Sequence, residues 1–215
     1  IRRGAHLGLY RAVLARYVQM ATTGGVTQAI FPEGRLSVDG LVQPARLGLL
    51  SYVVEGWKPG GPDVVFVPVA INYDRVLEDR VLIAAGARGD RRFRARISVI
   101  LRFSLEVVWQ RLRGRFARFG AAGVVFAEPL RLSSYGEAPV LADIGRDLMA
   151  RIEAAMPLLC VPMVARALLQ NAAPMPTAAL EAALQQMQSR CADGALMVPD
   201  ITEGVASACT MLTER

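Results

Sequence analysis

Glu33 and Arg35 are the charged side chains whose types and spacing best suit the binding of a polar substrate. They lie in FPEGR (31–35), which follows directly on the apolar run VTQAIF. A guanidinium can bind a phosphate through two parallel hydrogen bonds, and a carboxylate accepts hydrogen bonds from hydroxyl groups. The pattern leaves two interpretations open: a substrate-binding loop, or an exposed loop with an ion pair worth less than about 1 kcal/mol.

The elements around this segment alternate between helical and extended patterns. Apolar residues recur at helical spacing up to Gly24 and Gly25, which end the predicted first helix. VTQAIF (26–31) predicts a buried strand, residues 45–56 return to helical spacing, and VVFVPVAINY (64–73) predicts a second buried strand. This order is typical of an α/β fold with a mixed, partly parallel sheet flanked by helices. FPEGR would then lie at the carboxyl end of a strand, where such sheets bind ligands.

The second half of the chain becomes helical. GVVFAEPLRL (123–132) predicts one more strand that runs into a Glu-Pro turn. Helical spacing then predicts four helices, at 137–155, 157–171, 174–190 and near 200–213. We therefore predict a domain over residues 1–135 and a helical C-terminal region over residues 136–215.

The arginine-rich segment 93–114 fits two patterns. Its odd positions through Trp109 are apolar, as in a strand, but a length above twenty residues favours an amphipathic helix. Ten arginines lie between positions 88 and 118, against two carboxylates. Such a helix suits an anionic membrane surface, and a surface helix packed on the sheet is the alternative.

Composition narrows the class of partner. The net charge is +6 with Lys58 as the single lysine, and this basic balance suits anionic lipid, phosphorylated metabolites or nucleic acid. Hydrophobic residues make up 53% of the chain, yet no stretch approaches the roughly 20 apolar residues of a membrane span. Three widely separated cysteines, Cys160, Cys191 and Cys209, indicate a reduced compartment and give no metal-ligand spacing.

Several common catalytic patterns are missing from the sequence. It contains neither GxxxxGK[ST] nor GxGxxG, the two commonest nucleotide-binding motifs. His6 is the single histidine, and the sequence supports no pairing with a Ser or Cys nucleophile. A structural role for His6 is the prediction.

Four segments occur in an order typical of one protein family. They are IRR (1–3), FPEGRLS (31–37), FVPVAINYDRVLED (66–79) and FAEPLRL (126–132). In these segments the chain resembles the glycerolipid acyltransferases, in particular the glycerol-3-phosphate acyltransferase branch. The resemblance extends over roughly residues 1–135, which it identifies as the C-terminal portion of an acyltransferase-type domain. Ala127 replaces the glycine usual in the last segment.

The resemblance implies a set of substrate-binding residues in this chain. Arg3 and Arg35 would hold the phosphate, Glu33 and Ser37 would fix the glycerol hydroxyls, and Pro68 would shape a strand end beside the site. Pro68 is equally well explained as a proline that ends a strand. The full set is Arg3, Glu33, Gly34, Arg35, Ser37 and Pro68.

The same resemblance implies a catalytic H-x-x-x-x-D block that precedes IRR in the family. Arg11 stands five residues after His6, so His6 cannot belong to that block, which we expect upstream of Ile1. No catalytic residue is therefore assigned within this chain, and the fragment alone is predicted to be inactive. The reaction needs a histidine general base and implies no metal and no organic cofactor.

The predicted function is acyl transfer from acyl-CoA or acyl carrier protein to glycerol-3-phosphate in phospholipid biosynthesis. The enzyme is expected as a peripheral protein on the cytoplasmic face of an anionic membrane. One alternative acceptor is 1-acylglycerol-3-phosphate, since Leu36 stands where the best-matching family members carry arginine. A non-catalytic lipid-binding relative is a further alternative. A basic nucleic-acid module is the rival class, but no stacking aromatics or known motif support it, and no nucleic-acid partner is predicted.

Overall fold

The chain contains both helices and strands, as the sequence predicted. The computed structural model describes residues 8–34, 41–74, 109, 112–113, 120–171, 173–189 and 200–213. They group into two compact units: unit 1, from 1–70 with 125–156, and unit 2, from 71–124 with 157–215. The boundary near residue 135 stays a prediction.

Helix α1 spans Gly8–Thr23 and ends where the glycine pair predicted. The amide of Val26 donates to the carbonyl of Ala21 at 2.9 Å, and the amide of Gly25 donates to Thr22 at 3.1 Å. Gly25 has a φ of 70°, a left-handed conformation that glycine adopts without a steric penalty. These features form a Schellman motif, which satisfies the last carbonyls of the helix.

Helix α2 spans Gly48–Gly56 and packs against α1 in unit 1. Leu50, Val53 and Gly56 are its buried residues. A Cβ added at Gly56 would lie 3.0 Å from the Cα of Gln19. The two helices therefore approach closely because Gly56 has no side chain.

Four short strands form two pairs. They are β1 (Val65–Phe66), β2 (Val69–Tyr73), β3 (Ala122–Phe126) and β4 (Leu130–Arg131). β1 pairs with β4 in antiparallel register, and β2 pairs with β3. The amide of Ala127 donates to Pro68 and that of Asp74 to Ala121, so β2 and β3 also run antiparallel. Within the described ranges no parallel pair is seen, and the predicted single strand 64–73 is divided at Pro68.

The core of unit 1 lies between α2, the strands and the helices that follow β4. A 3-10 helix spans Leu132–Tyr135, and α3 spans Leu141–Ala154. Each fully buried Leu or Ile side chain contributes about 1.5–3 kcal/mol to folding. The buried cluster consists of Leu50, Leu130, Leu132, Ile144 and Leu148.

Arg151 of α3 supports the segment that joins β3 to β4. Its Nη1 donates to the carbonyls of Glu128 and Pro129, at 2.7 and 3.0 Å. The Glu-Pro turn predicted here is not seen: residues 127–129 form an irregular connection between two short strands. The backbone acceptors of this connection are satisfied by a helix residue more than twenty positions later in the chain.

Unit 2 contains the last three predicted helices. They are α4 (Cys160–Gln170), α5 (Thr177–Ser189) and α6 (Ile201–Thr213), and they pack on one another. Their shared core contains the buried residues Cys160, Val161, Met163, Val164, Ala167, Leu180, Leu184, Val205 and Ala208. The 3.6-residue period was sufficient to predict these helices because each one buries a single face.

Segment 93–118 lies outside the described residues apart from Trp109, Leu112 and Arg113. The guanidinium carbon of Arg113 lies 4.2 Å from the centroid of the Trp109 ring, within cation–π range. In the part of the chain that the structure describes, no helix is both long and apolar enough to cross a membrane.

The predicted buried strand at 26–31 is wrong. Residues 26–31 form no strand, and Val26 and Phe31 are 60% and 83% exposed. A β-branched run becomes a strand when another strand satisfies its amides and carbonyls, and no described strand pairs with this segment. VTQAIF is instead an extended connection from α1 to the FPEG turn.

Candidate functional site

Residues 31–34, the FPEG turn, form a hydrogen-bonded β-turn. The amide of Gly34 donates to the carbonyl of Phe31 at 3.0 Å. Proline suits the second position of such a turn because its φ is already near −65°, and glycine is favoured at the fourth. Glu33 at the third position has a negative φ, which excludes a type II turn. The sequence FPEG thus encodes a tight turn that presents Glu33.

The carboxylate of Glu33 contains an oxygen without a hydrogen-bond partner. Oε2 is buried and accepts no hydrogen bond from any described residue. Leaving a buried acceptor unpaired costs about 1–3 kcal/mol. In this structure the oxygen is covered by the chain, so the glycerol hydroxyl that the resemblance implied as its partner would reach it only after the covering residues move.

Arg46 lies against the FPEG turn, although the sequence analysis did not single it out. Its amide donates to the carbonyl of Pro32 at 2.7 Å. A Cβ added at Gly34 would lie 2.8 Å from Arg46 Cδ, so the arginine side chain passes directly over that glycine. Residues twelve positions apart in a loop have no periodicity that reveals such a contact, so no sequence signal pointed to Arg46.

Three of the predicted site residues lie outside the described part of the chain. Neither Arg3, Arg35 and Ser37 nor His6 lies in the described ranges, and their roles stay predictions. The structure brings Glu33 and Gly34 together in the same turn.

Pro68 is buried at the junction between β1 and β2. It has no amide hydrogen, so it cannot donate to a ladder, and its carbonyl accepts from Ala127 at 2.9 Å. None of the hydrogen bonds between described residues joins Pro68 to the FPEG turn. Its surroundings fit the structural interpretation, and a substrate-binding role stays a prediction.

Two polar residues of the third segment, FVPVAINYDRVLED, stabilise unit 2. Asn72 Nδ2 donates to the carbonyl of Pro157 at 3.0 Å. Asp74 accepts from the amides of Val161 and Ala121, at 3.1 and 2.8 Å. Val161 lies in the first turn of α4, where a carboxylate interacts favourably with the helix dipole. Asn72 and Asp74 therefore connect the strand segment to the helices of unit 2.

Burial raises the pKa of the Cys160 thiol to about 11, and the negative charge of Asp74 adds to the effect. A thiol with such a pKa remains protonated at neutral pH and is a poor nucleophile. Cys160 therefore serves as a core residue. Among the described residues, no group of three or more His, Cys, Asp or Glu side chains could hold a metal ion.

Known proteins confirm the resemblance indicated by the four segments. The chain is 32% identical over 134 residues to a glycerol-3-phosphate acyltransferase of Pseudomonas syringae pv. tomato, which covers 61% of this chain and 15% of that protein. It is 31% identical over 148 residues to the mitochondrial glycerol-3-phosphate acyltransferase 1 of Sus scrofa, covering 65% of this chain and 16% of that protein. No protein-family model matches, and no solved structure does. The chain thus spans less than a fifth of these relatives' length.

Proposed function

We propose, from the confirmed resemblance of this chain to the glycerol-3-phosphate acyltransferases, that it forms part of an enzyme that acylates glycerol-3-phosphate. The observation that carries this proposal is the similarity itself, which extends over about 60% of the chain in both bacterial and mammalian relatives. The unpaired Glu33 oxygen in the FPEG turn supports it from the geometry.

Glu33 would hold a glycerol hydroxyl through its buried Oε2. The hydroxyl oxygen attacks the carbonyl carbon of the acyl thioester, so that a C–O bond forms and the C–S bond breaks. The hydroxyl proton passes to a general base, and the thiol leaves after it receives a proton. By resemblance, the base is the histidine of the H-x-x-x-x-D block that we expect upstream of Ile1.

The proposal also includes the acyl donor, the location at a membrane and the arrangement of the sheet. An acyl-CoA or acyl carrier protein thioester would supply the acyl group. The net charge of +6 and the ten arginines between positions 88 and 118 support peripheral binding to anionic lipid at the cytoplasmic face. A mixed, partly parallel sheet flanked by helices stays the proposed fold around the site.

A second acceptor is favoured by one observation. Leu36 stands where the best-matching family members carry arginine, and Arg35 lies one place earlier, so the resemblance leaves the acceptor open. The 1-acyl derivative of glycerol-3-phosphate carries the same phosphate and is the alternative acceptor, and both should be assayed side by side.

Replacing Glu33 tests the function directly in the intact gene product. Transfer of a labelled acyl group from acyl-CoA to glycerol-3-phosphate should fall roughly 100-fold in Glu33→Gln, because the acceptor hydroxyl is no longer held in line with the thioester. Glu55→Gln is the matched control, since Glu55 is exposed on α2 of the same unit and should retain full activity. Circular dichroism melting checks that both variants fold.

Two outcomes contradict different parts of the proposal. Unchanged turnover in Glu33→Gln would remove Glu33 from the site while the activity stands. Absence of acyl transfer to either acceptor by the wild-type protein would overturn the proposed function itself.

A further inference from the structure

We propose that Arg46 binds the phosphate group of the acceptor, which makes it a specificity-determining residue of the site. This inference rests on the proposed function, because it assumes a phosphorylated glycerol as acceptor. Three features of the described residues carry it: the position of Arg46, the path of its side chain and its unpaired charge.

The position of Arg46 is set by the FPEG turn itself. Its amide donates to the Pro32 carbonyl at 2.7 Å, a short hydrogen bond that ties the loop before α2 to the turn. This hydrogen bond places the backbone of Arg46 beside Pro32, the residue that precedes Glu33. A cationic residue therefore starts from the same turn that carries the Glu33 carboxylate.

The path of the Arg46 side chain depends on Gly34. The Cβ, Cγ and Cδ atoms of Arg46 would all lie within 3.6 Å of a Cβ built at Gly34, and Cδ would be at 2.8 Å. Any other residue at position 34 would displace the arginine stem. Gly34 also has a φ of 63°, which disfavours a side chain there independently. The turn is thus shaped to let the arginine pass over Gly34, the residue after Glu33.

The guanidinium of Arg46 forms no ion pair with a described carboxylate. The ion pairs between described residues involve Arg131 and Arg146 instead. Arg46 is exposed, while Glu33 is half-buried with one oxygen unsatisfied. The two groups are complementary to a small molecule that carries both an anion and a hydroxyl, such as glycerol-3-phosphate.

Steady-state kinetics of the intact gene product test this role. Arg46→Gln keeps most of the stem over Gly34 and removes the charge, so the KM for glycerol-3-phosphate should rise roughly 10- to 100-fold, the loss expected for a charge-assisted hydrogen bond. The KM for acyl-CoA should stay unchanged. Arg46→Lys should recover part of the affinity, because it restores the charge without the bidentate geometry.

The matched control is Arg11→Gln, which removes one positive charge from an exposed position on α1 of the same unit. It should leave both KM values unchanged and so separate a local contact from the effect of net charge. A merely structural role for Arg46 would lower kcat or thermal stability in Arg46→Lys as well, without selective loss of acceptor binding.

Three results would overturn the inference. If Arg46→Gln raises the KM for acyl-CoA and not for glycerol-3-phosphate, the guanidinium contacts phosphates of the donor. If neither KM changes, Arg46 binds no substrate phosphate, although the proposed function stands. If the wild-type protein lacks transferase activity, calorimetric titration with glycerol-3-phosphate decides: equal affinity, or equal absence of binding, in wild type and Arg46→Gln contradicts the proposal.

Discussion

The hydroxyl of Tyr135 illustrates how a single residue couples stability to pH. It donates a 2.6 Å hydrogen bond to Oδ2 of Asp147 on α3. Burial raises the pKa of Tyr135 to about 12, and the hydrogen bond to the carboxylate and its charge add to the effect. In the unfolded chain the phenol titrates near the ordinary value of 10. The protonated phenol therefore stabilises the fold fully below pH 10, and this contribution is lost as the pH rises through about 12.

We expect Tyr135→Phe to lower the free energy of unfolding by about 1 kcal/mol at neutral pH, because the hydrogen bond to Asp147 is lost. As the pH rises from 10 to 12, the difference between wild type and variant should shrink. Urea unfolding at several pH values measures both effects. Tyr17→Phe is the control, since Tyr17 is 70% exposed and should show no such change. A difference in the free energy of unfolding that stays constant up to pH 12 would contradict the raised pKa of Tyr135.

At the scale of elements, the contact between α1 and α2 depends on a glycine at one end of a short helix. Gly56 lies against the backbone of Gln19, whereas a Cβ at Gly48, at the other end of α2, would meet nothing within 4 Å. The two glycines are the first and last residues of one nine-residue helix, and their surroundings differ completely. A glycine-to-alanine substitution is therefore expected to lower the free energy of unfolding at Gly56 and to raise it at Gly48.

Gly56→Ala should destabilise the protein by about 1–3 kcal/mol, because a Cβ 3.0 Å from the Gln19 Cα forces the helices apart. Gly48→Ala should stabilise it by about 0.5 kcal/mol, because alanine restricts the unfolded chain without a clash. Chemical denaturation of both variants gives the two values. Equal effects at both positions would mean that α1 and α2 are not in close contact.

At the scale of the whole molecule, the charge is the property with the clearest consequence. The net charge of +6 comes almost entirely from arginine, and much of it is concentrated between positions 88 and 118. Arginine-rich surfaces bind anionic lipid headgroups, and this attraction weakens as salt screens it. The proposed membrane location therefore has a direct test.

The chain should sediment with vesicles of phosphatidylglycerol and phosphatidylcholine in 50 mM salt and dissociate when the salt is raised about tenfold. Vesicles of phosphatidylcholine alone are the control and should bind weakly. Binding to DNA or RNA with a steep salt dependence, combined with indifference to both kinds of vesicle, would favour the rival nucleic-acid module.

Local patterns predicted the parts of this fold that depend on neighbours in sequence. Helices α1, α2 and α4 through α6 were predicted because each shows a 3.6-residue period of apolar residues. The strand at 26–31 was wrong because pairing depends on residues far away in the chain. The division of 64–73 at Pro68 follows from the missing amide hydrogen of proline, which the sequence does show. The strands that pair with β1 and β2, on either side of Pro68, depend on how the whole chain folds.

The sequence by itself determined the resemblance to the acyltransferases and the loop that carries Glu33. Proline, a carboxylate and glycine in that order specify both a turn and a hydrogen-bond acceptor within a few residues. The tertiary structure alone decided that Arg46 passes over Gly34 and that Asp74 caps α4. These contacts join residues between 12 and 87 positions apart, and such distances are set by how the whole chain packs and not by its local order.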